Sequence, residues 1–218
     1  MAARSARVVA VEDAEPEAKL TSFSEFYTRL QRWEGIANPR NLIGPWPPRR
    51  REGIAAALSA GFDAAGLLGA EIPGFAGSTP QSRGNKAAKF LKDRLTAVPS
   101  YRLGVIGGAG YPDFVLRWQG GWCCAEVKST SKLDGDASSL RIVLTGSTAR
   151  LRAEIDRIGH DAPPPCHLLF TLNHNDEGVV TGMRLDFLEP DTMVSVKLEA
   201  STSRVMLGRG QQRFHSHP

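Results

Sequence analysis

The chain has 218 residues, 41% of them hydrophobic and 23% charged, which is the balance of an ordinary globular protein and excludes a collagen, a long coiled coil or wholesale disorder. Its net charge of +4 and pI of about 9.1 suit an anionic partner without demanding one. No apolar run is long enough to span a membrane, and three cysteines, Cys123, Cys124 and Cys166, make no disulfide framework, so a reducing compartment, the cytoplasm, is expected.

Residues 1–20 are rich in Ala, Arg and Glu and read as an N-terminal arm. Hydroxyl residues Thr21, Ser22 and Ser24 then stand beside Phe23, Phe26, Leu30 and Trp33, the spacing of one apolar helix face behind a cap, and Gly35 ends it. Four prolines make residues 38–51 an irregular segment that finishes in Arg49, Arg50 and Arg51. An alanine-rich helix or helix pair is predicted over 52–68, broken at Gly61 and Gly66, with Ile54, Leu58 and Phe62 as its buried stripe. Residues 74–84 read as flexible. A short helix over 85–95 turns Ala87, Ala88, Leu91 and Leu95 inward and Lys86, Lys89, Lys92 and Arg94 outward.

Between residues 38 and 94 there are nine basic residues and four acidic ones, a surplus larger than that of the whole chain. Arginines in a loop can follow a phosphate backbone and bind it bidentately, which makes the Arg49–Arg51 triplet the first candidate for nucleic-acid contact. Arg83, Asn85, Lys86, Lys89, Ser129 and Lys132 are further candidates by position. A solvated helix face accounts equally well for Lys86, Lys89 and Lys92.

A strand is predicted over 101–106, and the glycines at 107, 108 and 110 make a bulged turn into a hairpin, since no helix or Gly-Lys-Ser/Thr follows as a phosphate loop would need. In the hairpin, Gly120-Gly121 is the two-residue turn. Counting outward, Arg117 faces Cys124, Val115 faces Glu126 and Asp113 faces Lys128. Asp113, Val115, Cys124, Glu126 and Lys128 then share one face, while Phe114, Leu116, Ala125 and Val127 make an apolar face to be buried. Asp113 and Glu126 stand diagonally, roughly 7–8 Å apart between backbones, near enough to reach one ion. The ordinary alternative is the wet side of a half-exposed hairpin.

Residues 129–139 read as a loop and 140–144 as a brief strand. A helix over 148–158 is capped at Thr145 or Ser147, and Pro163 to Pro165 break it. The strand over 166–172 follows by a short crossover, as a parallel neighbour of the hairpin would. Strands are predicted at 179–187 and 193–198, around a turn at Glu189, Pro190 and Asp191, with one more at 205–207. Asn173, His174 and Asn175 read as a polar loop, and 201–218 as a tail with His215 and His217 disordered. Cys124, Cys166, His167 and His174 lack the spacing of a zinc site. The expected fold is α/β, a mixed central sheet flanked by helices, with a helical N-terminal part over 21–75 and a core over 76–200.

Pro112-Asp113 followed by Glu126-Val127-Lys128 resembles the signature of the PD-(D/E)xK nuclease superfamily, whose core order of helix, strand, hairpin, helix and strand is also the order predicted here. The resemblance implies a restriction-endonuclease-like core in which Asp113, Glu126 and the Val127 carbonyl hold Mg²⁺, or Mn²⁺ in its place, and Lys128 completes the catalytic set. Many relatives carry a further acid on the helix before the first core strand. Here that helix offers lysines, so Glu71 becomes the candidate third acid. By resemblance the chain is most like a type II restriction endonuclease, a homodimer that cleaves double-stranded DNA. A repair or recombination nuclease such as a junction resolvase would use the same chemistry, and a nucleic-acid-binding protein with a silent site is the alternative outside enzymes.

Overall fold

The computed structural model describes residues 19–97, 102–105, 111–118, 121–131, 141–145, 148–159, 163–199, 205–209 and 215–217. Helix α1, Phe23–Trp33, starts where its cap was expected, with the Ser22 hydroxyl accepting the Glu25 N–H at 3.2 Å. It buries Phe23, Phe26, Tyr27 and Leu30, while Trp33 in its last turn stays 46% exposed. Just beyond, Gly35 takes φ 84°, the left-handed conformation a helix stop needs.

Helix α2, Pro48–Ala64, absorbs the arginine triplet that the proline count had assigned to a loop. The reason is positional: Pro48 sits in the first turn, where its missing N–H has no partner to lose. Ile54, Leu58 and Phe62 form the buried stripe as expected, and Gly61 lies inside the helix without breaking it. The same device lengthens α3, Pro80–Thr96, five residues beyond its predicted start. Thr79 caps it by accepting the Ser82 N–H, and Pro80 opens the first turn, so residues 80–84 are helical.

The central sheet has six strands in the order β10, β7, β6, β4, β3, β2. These are β2, Arg102–Val105; β3, Phe114–Trp118; β4, Gly121–Thr130; β6, Cys166–His174; β7, Val180–Leu188; and β10, His215–His217. Only β4 and β6 run parallel; the other neighbours are antiparallel, so the sheet is mixed. The crossover between β4 and β6 contains α4, Ala149–Ile158, as the sequence order implied. A second, antiparallel sheet has the order β1, β8, β9, β5, from Lys19–Ser22, Met193–Glu199, Val205–Arg209 and Arg141–Thr145. Two expectations are corrected by this pairing. Residues 19 and 20, read as part of an arm, begin β1, and His215 to His217, read as disordered, pair with β7. A third correction concerns Asn173 and His174, which lie within β6 and not in a loop. The glycine turn at 107–110 and the cap Ser147 lie outside the described residues. Thr145 belongs to β5, and α4 is capped at Thr148, whose N–H and hydroxyl turn away to Glu34, each at 2.5 Å.

Both faces of the central sheet are covered. Phe114, Leu116, Ala125, Val127, Leu168, Phe170, Met183 and Phe187 pack against Ile54, Leu58, Phe62, Leu91 and Leu95 of α2 and α3. On the other face Val115, Trp122, Cys124 and Leu188 meet Phe23, Phe26, Tyr27 and Leu30 of α1 and Leu151 and Ile155 of α4. This explains the unbroken apolar run of β6, since strands buried on both faces lose the alternating pattern. Among the described residues, no helix is long and apolar enough to cross a membrane.

His167 of β6 ties the N-terminal segment to this second face. Its Nε2–H donates to the Leu42 carbonyl at 2.8 Å, which leaves Nδ1 to accept the Tyr111 hydroxyl. The Tyr111 ring stacks on the imidazole at 5.6 Å and Phe23 meets it edge-on at 5.3 Å. Burial pushes the His167 pKa down to about 4. A histidine whose folded pKa is depressed adds stability that is present above its unfolded value of 6.5 and lost as pH falls toward about 4. Unfolding free energies should therefore drop by up to about 3 kcal/mol more in the wild type than in His167→Gln across that range, measured by chemical denaturation.

Candidate active site

The two strands of the hairpin pair as expected, but Trp118 faces Gly121 where the count would face it with Cys123. The whole register is therefore offset by two residues from the counted one: Val115 faces Cys124 and Phe114 faces Ala125. Asp113, just before β3, donates its N–H to the Ala125 carbonyl at 2.9 Å, and so lies beside Glu126 and not Lys128. An offset of two keeps every side chain on its face, which is why the grouping of Asp113, Glu126 and Lys128 survives the error. Their face is not the wet side of a hairpin. Val115 and Cys124 on it are 1% and 0% exposed, beneath α1 and α4.

Each carboxylate has a lysine. Lys128, two residues along the same strand from Glu126, brings Nζ to its Oε1 at 2.5 Å. Asp113 accepts the Val127 N–H at Oδ2, 2.8 Å away, and receives Lys92 Nζ at Oδ1, 3.2 Å away. Glu126 Oε2 is buried with no hydrogen-bond partner. Burial pushes the Glu126 pKa up to about 7; Lys128 opposes that rise and the neighbouring Asp113 adds to it. A carboxyl poised near neutrality, with one buried oxygen unsatisfied and a second carboxylate alongside, is a cradle for a cation or a proton. Two hard oxygen donors of this kind fit Mg²⁺ or Mn²⁺, whose remaining shell comes from water and phosphate.

Lys92 is the residue that sequence reasoning missed. Helical spacing put it on the solvent side of α3 with Lys89, and nothing local separates the two; only the packing of α3 against β4 decides it. Two more charges lie on the same sheet face. Thr171 and Arg184 continue the row of Lys128 across β6 and β7, and Asp186 continues that of Glu126. Arg184 and Asp186, each 5% exposed, pair at 2.9 Å. Their signal was present as two charges alternating inside an apolar strand.

The other candidates fall elsewhere. Glu71 makes an isolated bridge with Val179, and among the described residues no third His, Cys, Asp or Glu joins Asp113 and Glu126, so it is not their partner here. Arg50 approaches Cys166 and Arg51 reaches Glu189 at 3.8 Å, which holds these two against the start of β6, while Arg49 is exposed. Cys166 pairs with Cys123, three residues before Glu126 and in the opposite face's core, so the structure does not bring the triplet to the carboxylates. Lys86 is tied to the Gly74 carbonyl and the Ser78 hydroxyl, and Arg83 lies 5.1 Å over the Phe75 ring. Lys89 pairs with Asp93 on an exposed face, Asn85 is exposed, and Ser129 is half-buried beside Lys128. Lys132 lies outside the described residues. The three cysteines are free and buried, one of the adjacent pair in each core.

Comparison of the chain with family models, curated proteins and solved structures finds no match. The assignment of a site therefore stands on its geometry. In the metal-free protein, NMR titration of the Glu126 carboxyl should give a midpoint near 7. Lys128→Met should move that midpoint up, and Asp113→Asn should move it down.

Proposed function

We propose that the chain is a divalent-cation-dependent endonuclease of double-stranded DNA, of PD-(D/E)xK type, acting as a site-specific restriction enzyme on a homodimeric plan. The observation that carries this reading is the meeting of Asp113, Glu126 and Lys128 at one end of the hairpin, with one Glu126 oxygen unsatisfied and the Asp113 carboxylate alongside. A bound Mg²⁺ would polarise the scissile phosphoryl group and lower the pKa of a water.

The protein's own groups divide the remaining work. Asp113 and Glu126 would hold the cation, and the Val127 N–H fixes the Asp113 carboxylate so that one oxygen keeps its direction. The Val127 carbonyl is a further donor by resemblance. Lys128, already within hydrogen-bonding reach of Glu126, would turn to the phosphate and stabilise the charge that develops on its oxygens. Because Glu126 holds a proton up to about pH 7, occupation of the cradle should expel it, so cation binding is expected to release protons below that pH.

Incubation of the protein with duplex DNA of phage length and Mg²⁺ should yield discrete fragments. Cleavage of branched substrates alone would instead indicate a resolvase, and a salt-sensitive mobility shift without cutting would indicate a binding protein. Glu126→Ala and Lys128→Ala should each cut at least about 100-fold more slowly while still binding DNA. Normal cutting by either variant would remove the site from this part of the fold.

A further inference from the structure

Helix α3 carries five cations, and four of them turn away from the carboxylates. Arg83 lies over Phe75, Lys86 holds the segment at Gly74 and Ser78, Lys89 pairs with Asp93, and Arg94 reaches the Ala65 carbonyl at 3.4 Å. Lys92 alone points into the site, where its Nζ sits 3.2 Å from Asp113 Oδ1. Asp113 Oδ2 is committed to the Val127 N–H, so the lysine occupies the oxygen left for a cation. The neighbouring carboxylate offers Glu126 Oε2, buried and unpartnered, on a side chain 11% exposed. Asp113 and Lys92 side chains are 22% and 20% exposed, so their ion pair is partly open to solvent.

We propose that Lys92 limits the cradle to a single divalent cation, its ammonium competing for Asp113 Oδ1 and standing where a further ligand would complete a second cation site. The charges support it. Two carboxylates and two lysines are balanced without a cation, so one divalent ion already makes the cradle as positive as a phosphodiester needs, and a second would stand against two ammonium groups with no carboxylate of its own. This inference rests on the reading of Asp113 and Glu126 as cation ligands, and not on DNA being the substrate.

The test uses the full chain and Mn²⁺ alone, with free ion counted by electron paramagnetic resonance and heats by calorimetry. Wild type should bind one Mn²⁺. Lys92→Met and Lys92→Gln should bind one, about two- to fivefold more tightly, since a partly buried competing ion pair is worth a factor of that order. Lys92→Glu, which puts a third carboxylate in place of the ammonium, should bind two Mn²⁺, and a single ion on that variant would overturn the limit on ion number; thermal melts identify any variant that does not fold. Affinity unchanged or weakened in both neutral variants would overturn the proposal, as would two ions or none on the wild type. A Lys92-dependent single site in a protein that cuts no DNA would support the assignment of Lys92 while overturning the nuclease reading.

Discussion

Strand β4 is bonded on both edges and covered on both faces, so any charge it carries must be answered from within the fold. Glu126 and Lys128 are such charges. A buried carboxylate without a partner would be strongly destabilising, and the protein answers with Lys128 on the same strand, while Asp113, fixed by a backbone N–H, adds a like charge alongside. The answer is incomplete, since one Glu126 oxygen has no partner and its pKa rises to about 7. A buried oxygen left without a partner is a place where a ligand gains from binding.

The same constraint organises the layers. An α1 face of Phe23, Phe26, Tyr27 and Leu30 closes the sheet where Val115, Cys124 and His167 stand, and the apolar cover gives way to charge along the rows of Glu126 and Lys128. His167, held neutral between the Leu42 carbonyl and the Tyr111 hydroxyl, anchors the chain two residues before Asp113. Burial thus acts in opposite senses a few residues apart, lowering one pKa and raising another, because it disfavours whichever form is charged.

Much of this was legible in residue order. Alternation in the hairpin assigned every side chain to its face even though the counted register was two residues off, because an even error moves no side chain to the other face. Capping hydroxyls and apolar spacing located α1 and the buried stripe of α2. What local patterns could not read was context. Pro48 and Pro80 look like breakers and act as helix starts, and the brief strand read at 140–144 carries no sign that its partner is β9 in the second sheet. Charge composition did not show that Arg50 and Arg51 are engaged at Cys166 and Glu189 while Arg49 stays exposed. Lys92 shows the reverse, a residue indistinguishable from Lys89 in sequence that packing delivers to the site.

The most direct measurement is the anomalous difference map of crystals grown with Mn²⁺. The account predicts a peak within coordinating distance, about 2.2 Å, of oxygens from both Asp113 and Glu126. A map with no peak there, or with Mn²⁺ bound only at other carboxylates while the Lys92 and Lys128 ion pairs stay closed, would contradict it.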